Sequence, residues 1–145
     1  MNQLNVSICI RNNILAILLT KDGMLVDKTV ELLRNKDITG PNYLSLLYGI
    51  KKSLLKVRNF LENNKAITSV VFELNNSTVV SWIKNCYSKE NYQESFVEVM
   101  RLLQEIPMQY AFVVNTKPKA LRFADNKYLT QKLKISGFNL EEFQE

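Results

Sequence analysis

The stretch FELNNSTVVSWIKN, residues 72–85, decides how this chain is read. An apolar strand runs into a helix, and the junction carries Asn75, Asn76 and Ser77. As local structure the triplet caps a helix, because an asparagine or serine oxygen can accept the unpaired N–H groups of the first turn. The second reading is a site junction, where acids would face a ligand and amides stand instead.

Outward from that point the chain alternates strand and helix signals. LNVSICI (4–10), ILAILLT (14–20) and MLVDKTVELL (24–33) are three extended runs, separated by Asn12-Asn13 and by the KDG turn at 21–23. The middle run is apolar on both faces, as a covered strand would be. Gly40-Pro41, with Thr39 as a cap, opens a helix carrying Leu44, Leu47, Ile50, Leu54, Val57 and Leu61 at helical spacing. Lys51, Lys52, Lys56 and Arg58 lie off that stripe, as a solvated face or a phosphate-facing edge. AITSVVFEL (66–74) is a buried strand, followed by a helix with Val79, Val80, Trp82 and Ile83. A third helix spans about 91–106 and ends at Pro107; QYAFVVN (109–115) is the fifth strand. TKPK is a basic loop, and a last helix runs over about 121–135 before Gly137 and a tail with Phe138, Leu140 and Phe143. The order is three strands, helix, strand, two helices, strand, helix. It predicts an α/β domain, residues 1–145, built on a five-stranded mixed sheet with helices on its faces.

Composition narrows the chemistry. The 145 residues contain no histidine, which removes histidine general bases, histidine-activated nucleophiles and most zinc sites. Cys9 and Cys86 lie in apolar segments and read as buried, reduced thiols of a cytoplasmic protein. No apolar run reaches the ~20 residues of a membrane span. Net charge is +5, with six basic residues and one acid, Asp125, between Lys117 and Lys134. Such a basic excess suits an acidic partner, a nucleic acid or an acidic protein surface. The bias toward Asn, Lys, Leu and Ile points to an AT-rich genome, a phage or a low-GC bacterium.

This order of elements resembles the ribonuclease H-like fold over essentially the whole chain. TGPNYLSLLYGIKKSLL resembles that family's first helix, VVFELNNSTVVSWI its fourth strand and "TDS" junction, and RFADNKYLT the "AD" that opens its last helix. The resemblance implies a metal-dependent nuclease or a relative of one. In the family, four carboxylates hold two magnesium ions, whose mutual repulsion at ~4 Å is roughly 15 kcal/mol at an effective dielectric of ~20. Carried over here, the first-strand position falls among Ser7, Cys9 and Arg11, the helix-opening position on Asn42, and the strand-ending position on Asn76, or Asn75 if the register slips by one. Only Asp125 keeps a charge, and Arg11, if it points inward, would repel a cation.

The expectation is therefore a non-catalytic ribonuclease H-like module with a lost metal site and no cofactor. It binds an RNA/DNA hybrid or duplex, or an acidic protein surface, through Lys117, Lys119, Arg122 and Lys127. One alternative is an active magnesium- or manganese-dependent nuclease with a displaced carboxylate set, for which Glu73 and Asp125 are candidates holding one weak ion. Another is a protein–protein interaction domain using Tyr87, Tyr92, Phe138 and Phe143.

Overall fold

The computed structural model describes residues 2–33 and 42–135, with 42 and 131–135 described by their backbone only. β1 (Gln3–Arg11), β2 (Ile14–Lys21) and β3 (Met24–Leu32) form the antiparallel part of the sheet. Both connections are two-residue turns with positive φ throughout: Asn12 and Asn13 (50° and 65°), then Asp22 and Gly23 (54° and 78°). Asparagine, aspartate and glycine tolerate that left-handed geometry, which matches the twist of a tight hairpin.

α1 (Asn42–Glu62) leads to β4 (Ser69–Leu74), which pairs parallel with β1. α2 (Ser77–Asn85), a 3₁₀ turn (Glu90–Tyr92) and α3 (Gln93–Gln104) follow, then β5 (Gln109–Val114) and α4 (Leu121–Ile135). β5 pairs parallel with β4, so the sheet order is β3-β2-β1-β4-β5. The third helix is thus shorter than the sequence implied, its first residues being taken by the 3₁₀ turn. The fourth strand starts at Ser69, later than the sequence implied, and Thr68 N–H just before it donates to Asn2 O (2.8 Å).

Strand alternation divides the sheet between two cores. Leu4, Val6 and Ile8, with Leu15, Ile17 and Leu19, face α1 and join Val70, Phe72, Leu74 and the apolar stripes of α1, α2 and α3. Phe72 and Phe112, paired in register, stack at 4.5 Å. On the opposite face Cys9, Ile14, Ala16 and Leu18 pack against Ala120 and Ala124. The three alanines let the start of α4 lie close to the strands. β2 is covered on both sides, which is why its sequence does not alternate.

The basic face of α1 is not an open phosphate-facing edge. Lys52 pairs with Glu31, Lys56 with Asp27 (2.9 Å), Lys51 with Glu98 and Arg58 with Glu105 (2.8 Å). Tyr48 also donates to Glu31 (2.9 Å). Each cation on this face is matched by an acid from β3 or from the α3 segment. Among the described residues, no helix is long and apolar enough to cross a membrane.

Candidate functional site

The α4-facing side of β1 and β4 carries the polar residues. Ser7, Cys9 and Arg11 alternate along β1, and Glu73 lies beside Ser7 on β4. The same alternation carries Asn75 to this side, where its Nδ2 lies 3.9 Å from Cys9 Sγ. Asn76 turns elsewhere: its Oδ1 accepts Val79 N–H (2.9 Å) and caps α2. Asn75 therefore holds the junction position beside Cys9, while the Asn76 side chain is spent on the helix end. The physical reason is the one-residue step, which reverses the face of an extended chain.

Arg11 reaches across to α4. Its Nε is 2.6 Å from Asp125 Oδ1, and the two side chains are 54% and 45% exposed. Asp125 Oδ1 is itself buried, yet accepts no hydrogen bond of normal geometry. Burial pushes the Cys9 thiol up to about 11; the nearby Asp125 carboxylate adds to the rise and the Arg11 guanidinium opposes it. Cys9 is a neutral thiol at physiological pH. Asn42 opens α1, and its side chain lies outside the described residues.

Glu73 does not face Asp125 as a free ligand. Its two carboxylate oxygens accept Asn115 Nδ2–H (2.9 Å) and Lys119 N–H (2.8 Å). Burial works against its charge, but the Lys119 N–H, the Asn115 amide and the Ser7 hydroxyl outweigh it and hold its pKa below the usual carboxylate value. Ser7 Oγ also accepts Ala120 N–H (2.9 Å). Together these bonds fold the 115–120 loop back over the sheet and set the start of α4. Asn115 carries no motif that marks it in the sequence; its place directly before the TKPK loop is the one signal there.

That loop forms one wall of a cleft of about 780 Å³ against the tip of the β2–β3 hairpin. Lys117, Lys119 and Arg122 line it with Asp125 and Asn126; Thr20, Gly23 and Leu25 stand opposite. Lys127 is half-buried and does not line the cleft. Phe123 carries Arg122 on its ring at 4.9 Å and Lys28 at 5.2 Å. Among the described residues, Lys117, Lys119 and Arg122 form no ion pair, in contrast to the cations of α1.

The remaining sequence candidates separate. Tyr87 is 62% exposed, but Tyr92 is half-buried and packs on Trp82 and Tyr43 at 5.6 and 5.7 Å, so it closes the core. Phe138 and Phe143 lie outside the described residues. Of the two thiols expected to be buried, only Cys9 is; Cys86 is exposed at the C-terminal cap of α2, with φ 54°.

No protein-family model matches this chain, and no curated protein sequence does. Solved structures do. LC11-RNase H1 in complex with an RNA/DNA hybrid matches with a TM-score of 0.66 at 16% identity, over 88% of this chain and 98% of that one. The ribonuclease H1 of the halophilic archaeon Halobacterium salinarum matches at 0.59 and 10% identity, over 84% and 90% of the chains. The N-terminal RNase H domain of rv2228c from Mycobacterium tuberculosis matches at 0.56 and 9% identity, over 87% and 92%. The molecule is an α/β protein with a ribonuclease H-like fold.

Proposed function

We propose that this chain is a non-catalytic ribonuclease H-like domain that binds a nucleic acid, an RNA/DNA hybrid or duplex, without a divalent ion. The observation that carries the reading is a contrast in charge partnering. The α1 cations are matched by acids, whereas Lys117, Lys119 and Arg122 sit together on one open cleft without ion pairs among the described residues. Unpaired surface cations on a groove are the electrostatic footprint of a phosphate backbone. A solved structure of the same fold, LC11-RNase H1, holds an RNA/DNA hybrid, which supports this partner class.

The donors near Asp125 support the non-catalytic half. A neutral thiol, an amide and one carboxylate already paired with a guanidinium supply too little negative charge for two magnesium ions. Glu73, the other acid on this face, has its oxygens taken by the 115–120 loop.

Fluorescence anisotropy with a labelled hybrid, in buffer containing EDTA, tests the reading. Wild-type protein binds, and three phosphate contacts give about a 40-fold loss of affinity between about 50 and 200 mM salt. Lys119→Ala with Arg122→Ala weakens binding. Absence of binding at low salt, or hybrid cleavage at millimolar magnesium or manganese that Asp125→Asn abolishes, overturns it.

A further inference from the structure

We infer that Arg11 is a phosphate-binding residue of this domain, its guanidinium fork oriented by the ion pair with Asp125. The inference rests on the nucleic-acid reading above and adds a residue and a geometry to it.

The pair is made through the side of the guanidinium. Asp125 Oδ1 lies 2.6 Å from Nε as an ion pair, without the angle of a normal hydrogen bond, and among the described residues neither terminal nitrogen has a hydrogen-bond partner. Those two nitrogens form the planar fork that matches two oxygens of one phosphate group. With its side chain 54% exposed, Arg11 can present the fork to a ligand. A Lys ammonium in the same place could offer charge but not the paired donors.

Position adds a second, independent observation. Asp125 lines the cleft that contains Lys117, Lys119 and Arg122. Arg11, fixed to Asp125, extends that basic rim from α4 onto the end of β1. Arg11 does not line the cleft itself; it joins it through Asp125, which does. Behind the fork, Cys9 and Asn75 are neutral and bring no competing anion. Asp125 is a positioning residue here. It orients the guanidinium and leaves the two terminal nitrogens open to a ligand; Arg11 supplies directed donors, while the net positive charge comes from Lys117, Lys119 and Arg122.

The experiment compares hybrid affinity for wild type, Arg11→Ala, Arg11→Lys and Arg101→Ala, in EDTA and in magnesium at matched ionic strength. Arg101 sits on α3, away from the cleft, and its replacement lowers the net charge by the same amount. Arg11→Ala is expected to bind about tenfold to a hundredfold more weakly, the usual effect of removing a charge-assisted pair of hydrogen bonds. Arg11→Lys recovers little of that loss, Arg101→Ala stays within about threefold of wild type, and magnesium changes nothing. Because the Arg11 pair is half exposed, the melting temperatures of the variants are expected to stay close to wild type, which separates binding from folding. Wild-type binding with an unchanged Arg11→Ala, full recovery by Arg11→Lys, or a rise in affinity with magnesium overturns the inference while leaving the nucleic-acid reading intact. A wild-type protein that binds no hybrid removes both.

Discussion

Cys9 is buried in the small core between the sheet and α4, and the nearby Asp125 carboxylate helps keep its thiol protonated. Native protein at pH 8 is expected to react with Ellman's reagent at exposed Cys86 and not at Cys9. Both should react after denaturation. The sign for stability follows from the raised value: the contribution is complete below the thiol's ordinary 9.0 and is lost as pH rises through about 11. Rapid labelling of two thiols in the native state would contradict the burial of Cys9.

Asn76 and Asn75 are neighbours with separate tasks. Asn76→Ala removes the cap on Val79 N–H and should cost about 1 kcal/mol, roughly 3–4 °C in melting temperature, while Asn76→Asp retains it. Asn75→Ala, which loses only the weak contact to Cys9, should cost less than Asn76→Ala. Equal losses at the two positions in urea denaturation would argue against this division.

Gly49 lies where α1 crosses the sheet. A Cβ there would stand 2.7 Å from Leu15 Cδ1 and 3.3 Å from Ile8 Cγ2. Alanine favours a helix over glycine by about 1 kcal/mol, but overpacking typically costs about 1–3 kcal/mol. Gly49→Ala is expected to be destabilising by about 1 kcal/mol. Adding Leu15→Val should cost less than the sum of the two single changes, because the clash is removed. Additive losses would show that the two residues do not press on each other.

Glu31 ties β3 to α1. Burial raises its pKa, but the hydrogen bonds from Lys52 and Tyr48 outweigh it and the result lies below the ordinary 4.5. A depressed carboxylate contributes stability above its unfolded value, and that contribution disappears as pH falls through the lower, folded value. Urea midpoints measured from pH 7 down to pH 3 should therefore fall less steeply for Glu31→Gln than for wild type. At pH 7 the variant should lose about 1 kcal/mol or less, as the pair is partly exposed. A parallel pH dependence in both proteins would show that Glu31 is not a source of acid sensitivity.

Much of the fold was legible because its causes are local. Asn12-Asn13 and Asp22-Gly23 announce tight turns, the apolar stripe of α1 repeats at helical spacing, and Asn76 caps the helix that begins one residue later. The absence of histidine and the lone acid among the basic residues 117–134 were also plain, and they shaped the chemistry that the site can support.

Only the tertiary structure decided which of these residues meet. Ser7 and Ala120 stand 113 positions apart and share a hydrogen bond; Arg11 and Asp125 are joined in the same crossing of β1 by α4. Pairing of the α1 cations with β3 and α3 acids, and the lack of such pairing for Lys117, Lys119 and Arg122 among the described residues, likewise depend on which surfaces pack together. The face shown by Asn75 or Asn76 turns on a single step of strand register. Periodicity along a chain reports the local geometry of each segment, whereas contacts between distant segments arise from shape and charge matching across the whole sheet, and no short window of sequence contains both partners.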